Sequence, residues 1–567
     1  MVYKSPIDDF KYNLEMLEYN SFANSIDLFK DYDTETVISV VEQVAKFNEQ
    51  EMVESNKKAD REGLVYVKDG EEGPEVKTPD YFKPLYKSVV DSGYIGACNP
   101  TEYGGGGAPF AMAMLNGEVG IAANMAFYMG PGLSQGAIKA ILKKASKELK
   151  DKYLPKMIAG EWMGTMCLTE SQCGTDLGLI RTTATPEEDY FKLNGQKIWI
   201  SFGEHDLTEN IIHLVLARLP DAPEGIKGIS LFLVPKRLDD NSRNPIFCGG
   251  LEHKLGINSS PTCVMNLDDA KGWLIGEPNK GMEAMFLMMN DARLKVGLQG
   301  VAMSEIAYQN ALDFAKNRRQ MRSVVKEKQE TEEKADNIIV HPDVRRMLMN
   351  VKATTEAMRS LCIYTAMKID LAEHHEDESV RESADDFAAI MTPIIKSYCS
   401  EKGFLNCSDS LQVLGGSGFT KEYPLEQYMR DARIALIYEG TNGIQALDLM
   451  FRKLPLDNGQ AMQRLLSDVN KVIEEMKKDD EDIVLMAEKL EKEVNTLSEI
   501  TLWLGSKLLE GELVDASSGA TPYLKMFGQV LGGYYMGKAA MLANKKFKET
   551  GDEFYKDKIT LSKFYIE

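Results

Sequence analysis

The chain has 567 residues, a formal net charge of −21, 44% hydrophobic residues and 27% charged residues. This composition is typical of a globular protein, and the length is ample for three or four domains. The acidic balance argues against a nucleic-acid partner, and no apolar run approaches the roughly 18 residues of a transmembrane helix.

The first 160 residues predict a mainly helical region. Residues 1–9 contain no apolar signal segment, so we expect a cytoplasmic location. Residues 34–44 place apolar side chains at helical spacing, whereas the polar, glycine-bearing residues 68–78 predict a loop. The glycine run at 104–107 is not followed by Gly-Lys-Ser/Thr, so it predicts a turn between helices rather than a phosphate loop.

Residues 161–281 predict a small β-domain. Residues 191–200 contain Asn194-Gly195 between apolar positions, which predicts a hairpin with an Asn-Gly turn. Further strands are expected at 211–219, 228–235 and 263–267.

Long helices are predicted again after residue 281. Residues 344–369 carry one apolar stripe, with Pro342 at the start of the helix, and the Lys/Glu-rich residues 326–337 predict an exposed excursion. Helical patterns also occupy 461–476, 485–504 and 523–542. We therefore expect a mainly α fold with a small β-domain, divided into residues 1–160, 161–281, 282–450 and 451–567.

Neither cysteines nor histidines predict a metal site. The eight cysteines show no Cys-x-x-Cys pair and no zinc spacing, so reduced core residues are expected. The pair His374-His375 lies in an acidic run, where a solvated helix end is the simpler interpretation.

Five short motifs carry the chemical information, and each alone is weak. They are CLTESQCGTD at 167–176, WIS at 199–201, RRQMR at 318–322, LGGSGF at 414–419 and YEGTNG at 438–443. The glycines at 415–418 do not form Gly-x-Gly-x-x-Gly and follow a helical pattern, so a Rossmann site is not supported. Glu439 precedes Gly440, where the backbone can approach a ligand closely, and a buried carboxylate there would be a strong base. Taken by itself, Glu439 would instead be read as a cap before Thr441.

In this order and at these spacings, the motifs resemble the acyl-CoA dehydrogenase family, FAD enzymes that desaturate an acyl thioester between C2 and C3. The resemblance covers about residues 80–450 and implies an N-terminal helical domain, a middle β-barrel-like domain and a C-terminal four-helix bundle. The N-terminal extension and the additional helical domain at 451–567 resemble a longer branch of the family. That branch includes 3-(methylthio)propanoyl-CoA dehydrogenases and bacterial fatty-acyl-CoA dehydrogenases, and residues 252–257 and 341–346 also resemble it.

The resemblance implies that Glu439 is the catalytic base and that its backbone amide donates to the thioester oxygen. Some members carry the base just before the arginine that corresponds to Arg293, but Ala292 stands there and favours Glu439. Asn290 occupies a coenzyme A contact that is aspartate in some members. The implied substrate-binding residues are Thr175, Asn290, Arg293, Tyr438 and Gly440.

The resemblance also implies a set of FAD contacts. Thr169 would contact the pyrimidine ring, Trp199 the isoalloxazine and Ser201 its N5 atom, while Arg318 would bind the pyrophosphate and Thr441 the adenosine end. The other implied cofactor-binding residues are Cys167, Gly174, Gln320, Gln412 and Gly416. In the family the residues corresponding to Arg318, Gln412 and Gly416 come from the neighbouring subunit, which implies a homodimer or a dimer of dimers. Met321-Arg322 and Gly443 depart from the Phe-Gly and Gln of many members, so individual contacts can differ.

The acyl group and the electron acceptor stay open at this point. We expect a general fatty-acyl-CoA dehydrogenase of β-oxidation that passes electrons to an electron-transfer flavoprotein, with 3-(methylthio)propanoyl-CoA as the alternative substrate. An acyl-CoA oxidase would share fold, cofactor and base, but the chain ends at residues 564–567 without Ser-Lys-Leu. A DNA-associated flavoprotein of the same fold would need a basic C-terminal domain, whereas residues 451–567 hold slightly more acidic than basic side chains. Residues 451–567 could pack across the dimer, cover the coenzyme A entrance or bind a partner.

Overall fold

The computed structural model describes residues 2–329 and 332–567. Glu330 and Thr331, inside the excursion predicted at 326–337, lie outside the described residues. No helix in the described ranges is long and apolar enough to cross a membrane.

Helices make up most of the described chain. They are α1 (Ile7–Met16), α2 (Tyr19–Asn24), α3 (Thr34–Phe47), α4 (Val53–Glu62), α5 (Phe82–Asp91), α6 (Phe110–Lys144), α7 (Lys147–Ile158), α8 (Gly281–Asn317), α9 (Pro342–His374), α10 (Glu378–Val413), α11 (Leu425–Ala432), α12 (Asn442–Asp448), α13 (Gln460–Met476), α14 (Glu481–Leu509), α15 (Leu513–Thr550) and α16 (Glu553–Ile566). The strands are β1 (Val65–Gly70), β2 (Gly73–Lys77), β3 (Trp162–Cys167), β4 (Thr183–Pro186), β5 (Phe191–Ser201), β6 (Asn210–Arg218), β7 (Ile229–Pro235), β8 (Ile246–Leu251) and β9 (Thr262–Ile275).

The chain forms two compact units. The bundle unit contains residues 1–49, 109–123 and 293–567, and the sheet unit contains residues 50–108 and 124–292. The chain changes from the bundle unit to the sheet unit at Asn124 within α6. The non-helical backbone of Asn124 interrupts the helix, and its Oδ1 accepts a hydrogen bond from Phe127 N at 3.1 Å. Because both units are built from separated pieces of chain, the predicted division at residues 160, 281 and 450 stays a prediction.

The seven-stranded sheet of the sheet unit closes on itself. Its order is β3-β6-β4-β5-β9-β7, with β8 also paired to β9 and β7 also paired to β6. The resulting ring has a core of apolar side chains such as Leu193, Phe232 and Met265. The predicted fold class, mainly α with a small β-barrel-like domain, is confirmed.

The hairpin predicted at 191–200 is wrong. These residues form one continuous strand, β5, which pairs with β4 on one side and β9 on the other. Gly195 has φ 152° and lies at a register shift against β9, so the Asn-Gly pair makes a bulge instead of a turn.

The loop predicted at 68–78 is also wrong, because β1 and β2 form an antiparallel hairpin there. Tertiary contacts stabilise it. Tyr66 Oη donates to Cys248 O at 3.0 Å, and Val76 is buried in the barrel core. Because the segment is mostly polar, its sequence does not reveal the face by which the hairpin packs against the barrel.

The predicted helices of the bundle unit are confirmed. Helix α9 begins at Pro342, and α13, α14 and α15 cover the three C-terminal patterns. Helix α15 packs closely on α10, since a Cβ atom at Gly528 would lie 2.4 Å from the ring of Tyr398. The hydroxyls of Tyr398 and Tyr565 are 2.7 Å apart, which links α16 to α10.

A buried ion network also joins distant parts of the bundle unit. Its members are Asp9, Glu118, Glu305, Lys352, Glu356, Arg359 and Lys558. The fully buried Arg359 contacts Glu118 at 2.6 Å and Glu305 at 2.8 Å. Lys558 of α16 contacts Asp9 of α1 at 2.6 Å. Chain-terminal helices are thus held against the centre of the unit.

Candidate active site

Glu439 lies in a tight turn that leads into α12. Its backbone is left-handed, with φ 57°, and Gly440 follows with φ 83°. Such a conformation is uncommon for a residue other than glycine and costs on the order of 1–3 kcal/mol unless the surroundings fix it. Thr441 then caps α12, since its Oγ1 accepts from Ile444 N at 3.4 Å.

Side chains from two helices fix this turn. Arg293 Nε of α8 donates to the Glu439 carbonyl at 3.3 Å, and Gln445 Nε2 of α12 donates to the same oxygen at 3.1 Å. Gln445 also reaches the Gly440 carbonyl at 3.3 Å. A Cβ atom on Gly440 would lie 2.7 Å from Gln445 Nε2, so this position favours glycine for two independent reasons.

The Glu439 carboxylate is partly buried, and opposing effects act on its pKa. Burial raises its pKa to about 7, while the positive charges of Arg293 and Lys396 oppose that rise. A general base works best when its pKa lies near the operating pH. The carboxylate is therefore suited to proton abstraction at neutral pH.

Three of the sequence-predicted substrate residues lie around Glu439. Arg293 is buried and has Asp448 3.7 Å away. Tyr438 donates its hydroxyl proton to Gln299 Oε1, and Gly440 provides the second left-handed residue of the turn. These contacts make a rigid frame for the carboxylate.

Sequence reasoning missed four further residues that shape this site: Gln299, Lys396, Asn442 and Gln445. Lys396 is completely buried on α10 and donates to Asn442 Oδ1 at 2.9 Å. The sequence contains a sign of this buried position, because Lys396 is the single lysine in the otherwise weakly polar stretch at 390–399. The glutamines carry no such signal in the sequence.

In the sheet unit, a bulge in β5 presents the predicted flavin residues. The register against β9 shifts between Lys197 and Ile200, and Trp199 has φ 58°. Trp199 is 60% exposed, although Ile200 beside it is buried. Ile198 N donates to Thr169 O at 2.9 Å, which holds the loop after β3 against the bulge. The exposed Trp199, two residues before Ser201, is available for the flavin contact that the resemblance implies.

Glu170 organises the loop that carries Thr169 and Thr175. Its carboxylate accepts hydrogen bonds from Arg181 N at 2.7 Å, Thr182 N at 3.0 Å and the buried Lys197 Nζ at 2.7 Å. Although burial opposes the change, Lys197 and these donors lower the pKa of Glu170 to about 2. Beyond it, Gly174 and Thr175 are exposed.

The side chain of Cys167, a predicted cofactor-binding residue, points into the core. Its thiol is completely buried and faces Thr165 and His213, 3.5 Å and 3.9 Å from its sulfur. Burial raises the pKa of this thiol to about 11. Only the backbone of Cys167 is left for a cofactor contact.

The remaining predicted residues have exposed side chains or surfaces. Arg318, Gln320, Gln412 and Gly416 are exposed in the bundle unit, and Asn290 is exposed on α8. The backbone of the Arg318 segment is fixed, since Ile338 N donates to Arg318 O at 2.8 Å and Gln320 N donates to Asp336 O at 3.0 Å. An exposed guanidinium on a fixed backbone suits a pyrophosphate.

Domain models of one enzyme family match most of the chain. Residues 34–161 match the acyl-CoA dehydrogenase N-terminal domain, 165–270 the middle domain and 279–454 the C-terminal domain. Residues 465–567 match an acetyl-CoA dehydrogenase C-terminal-like domain.

Individual relatives extend over nearly the whole chain. A 3-methylmercaptopropionyl-CoA dehydrogenase of Ruegeria pomeroyi is 38% identical, over 100% of this chain and 96% of its own length. The broad-specificity linear acyl-CoA dehydrogenase FadE5 of Mycobacterium tuberculosis is 32% identical, over 100% of this chain and 95% of its own. The crystal structure of a Bacillus anthracis acyl-CoA dehydrogenase complexed with FAD shares the fold, with a TM-score of 0.75, 23% identity and coverage of 96% and 87% of the two chains. The chain therefore belongs to the acyl-CoA dehydrogenase family and is an FAD-dependent acyl-CoA dehydrogenase.

Proposed function

We propose that Glu439 removes the α-proton of an acyl-CoA thioester and that the product is the trans-2-enoyl-CoA. The observation that carries the proposal is a partly buried carboxylate with a pKa of about 7, fixed in a left-handed turn beside Arg293. A weakly acidic α-proton requires a base whose position and charge are set in advance. The Glu439 turn meets both requirements.

The proton on C2 moves to the Glu439 carboxylate, and the C2–C3 double bond forms as a hydride leaves C3. FAD, when bound, supplies the acceptor for that hydride. The negative charge that develops on the thioester oxygen needs a hydrogen-bond donor. Among the described residues none accepts a hydrogen bond from the Glu439 N–H group, which leaves that donor for the thioester oxygen.

A straight fatty acyl-CoA is the proposed substrate, and 3-(methylthio)propanoyl-CoA is the alternative. The first choice is supported by the linear acyl-CoA dehydrogenase FadE5 at 32% identity. The alternative is supported by the relative named for 3-methylmercaptopropionyl-CoA, another name for the same thioester, at 38% identity. A short straight acyl chain and the 3-(methylthio)propanoyl group have nearly the same shape. Differences in binding energy alone therefore discriminate only weakly between the two substrates.

We further propose a homodimer or a dimer of dimers, an electron-transfer flavoprotein as electron acceptor, a cytoplasmic location and a role in β-oxidation. The exposed side chains of Arg318 and Gln412 support the oligomer, because residues at these positions serve a neighbouring subunit in the family. The exposed apolar side chains of Met321 and Phe419 lie near these residues in sequence and would be covered by such a contact. Sedimentation of the purified protein tests the oligomer directly.

The reaction is tested by anaerobic titration of the FAD-loaded protein. The panel runs from a C4 to a C16 acyl-CoA and includes 3-(methylthio)propanoyl-CoA, with flavin absorbance as the signal. Bleaching by a fatty acyl-CoA that is lost in Glu439→Gln supports the proposal, because glutamine keeps the shape and removes the base. Glu553→Gln, an exposed change on α16, is the control.

Each alternative has its own outcome. Bleaching by 3-(methylthio)propanoyl-CoA alone would select the second substrate. Fast reoxidation by oxygen with release of peroxide would point to an oxidase. Full bleaching of Glu439→Gln would overturn the assignment of the base.

A further inference from the structure

Lys396 is a buried lysine that the reaction described above does not use. Its side chain is completely buried on α10. Its Nζ donates to the neutral amide oxygen of Asn442 at 2.9 Å, and among the described residues no carboxylate lies within ion-pair distance of it. Burying an ammonium group is costly unless it is paired, so a lysine in this setting calls for an explanation.

The position of Lys396 relates it to the base. Asn442 begins α12, three residues after Glu439, and its Nδ2 donates to Ser397 O on α10 at 3.2 Å. Asn442 therefore links α10, by hydrogen bonds, to the segment directly after the Glu439 turn. Lys396 is the charged member of that contact.

The electrostatic surroundings of Lys396 are simple. In the part of the chain that the structure describes, the charges that act on it are those of Glu439, which raises its pKa, and Arg293, which lowers it. Burial is the largest effect and brings the pKa of Lys396 to about 7. The charges of Asp448, Glu439 and Arg452 in turn act on Arg293. Lys396 and Glu439 thus titrate in the same pH range and act on each other.

We infer that Lys396 is a positioning residue for the base: its ammonium, held by Asn442, favours the ionised form of the Glu439 carboxylate in the substrate-free site and so lowers the pH above which the enzyme can remove the α-proton. This inference rests on the proposed function of Glu439. Arg293 alone does not replace Lys396, because Asp448 lies 3.7 Å from the guanidinium and offsets part of its charge.

The test measures the single-turnover rate of flavin reduction by the best thioester as a function of pH. In Lys396→Gln, an amide replaces the ammonium and retains a hydrogen-bond donor. With its cation lost, the carboxylate should hold its proton more tightly, so the acidic limb moves up by about one pH unit. The rate should fall about fivefold near pH 7 and recover at about pH 9.

Lys396→Arg is the matched control, because arginine stays charged throughout this range. It should keep the acidic limb at or below the position in the unsubstituted protein. If the bulkier arginine prevents folding, Lys396→Met provides a second charge-removing variant and should shift the limb in the same direction as Lys396→Gln. Bound FAD and the melting temperature are measured for every variant.

A rate that falls by the same factor at every pH, or a profile that does not shift, would overturn the inference and leave Lys396 a structural residue. Glu439→Gln separates this failure from failure of the proposed function. If Glu439→Gln is inactive while the Lys396→Gln profile is unshifted, only the role of Lys396 is wrong. If Glu439→Gln is active, the proposed base is wrong and the inference falls with it.

Discussion

At the scale of single residues, the pKa of Glu439 predicts how the reaction depends on pH. The basic form of the carboxylate is the ionised one, and burial raises its pKa to about 7. The rate of flavin reduction should therefore be highest above pH 7 and fall about tenfold for each unit below it. Stopped-flow reduction by one acyl-CoA across this range measures the limb. A flat profile down to about pH 5 would show that a group with an ordinary carboxylate pKa is the base.

The same shift has a consequence for stability with a definite sign. The folded protein holds the Glu439 proton more tightly than the unfolded chain, whose glutamate has a pKa of 4.5. This group therefore favours unfolding progressively as the pH rises from about 4.5 to about 7. The proposed base is thus maintained at the expense of stability, as is common for active-site residues.

Gly440 tests whether the geometry of the turn matters for the rate. Gly440→Ala puts an alanine at a position with φ 83°, and its Cβ would lie 2.7 Å from Gln445 Nε2. Gln445 must then shift, which weakens its hydrogen bond to the Glu439 carbonyl. Displacing the base by about 1 Å should lower the rate of flavin reduction by about a hundredfold. Gly443→Ala is the control, because its nearest neighbour outside the helix backbone lies 4.0 Å away and its backbone is not left-handed. Equal rates in both variants would contradict the prediction.

At the scale of elements, the loop after β3 depends on one carboxylate. Glu170 accepts hydrogen bonds from Arg181, Thr182 and Lys197, and it thereby ties the loop to β5 and to the residues just before β4. The interactions that lower its pKa to about 2 stabilise the fold above pH 4.5 and are lost as the pH falls towards 2. At neutral pH Glu170 is therefore ionised and keeps the contacts that hold this loop.

Glu170→Gln should destabilise the sheet unit and weaken its hold on FAD. The buried Lys197 would lose its ion partner, which typically costs about 3–5 kcal/mol. Melting temperature and bound flavin after gel filtration measure both effects. Glu187→Gln is the control, since its pair with Lys192 at 2.8 Å is more than one-third exposed and such pairs contribute little. Full flavin content in Glu170→Gln would show that the loop is held by other contacts.

At the scale of the whole molecule, the buried ion network gives the C-terminal helices a structural role. Lys558 of α16 lies between Asp9 of α1 and Glu356 of α9, at 2.6 Å and 3.0 Å. Although burial opposes it, Lys352 and Lys558 lower the pKa of Asp9 well below its usual range. The segment added at the end of the chain thus helps to neutralise buried charge inside the bundle unit.

Lys558→Met should lower the stability of the bundle unit by about 3 kcal/mol, because Asp9 and Glu356 would lose a buried cation. Chemical denaturation followed by tryptophan fluorescence measures the loss. Lys556→Met, two residues away on α16, should be nearly silent because its pair with Glu553 is exposed. Similar losses in the two variants would indicate that α16 itself, and not the ion network, is sensitive to substitution.

The sequence by itself determined the family and the large elements. Helix α9, with Pro342 at its start, and the C-terminal helices follow from apolar periodicity, which depends only on local spacing. The motif order around Glu439 identified the family, because each motif adds an independent constraint. The family and these helices, which rest on such patterns, were confirmed.

Only the tertiary structure decided what surrounds the local pattern. Asn194-Gly195 forms a bulge because β4 and β9 pair with both edges of β5, and residues 65–77 form strands because Tyr66 and Val76 contact the barrel. Cys167 turns its thiol into the core, and Lys396 reaches Asn442 across 46 positions of the chain. These outcomes depend on contacts between segments that are distant in sequence. Spacing along the chain carries no record of burial or of long-range charge, and burial and charge set the pKa of Glu439.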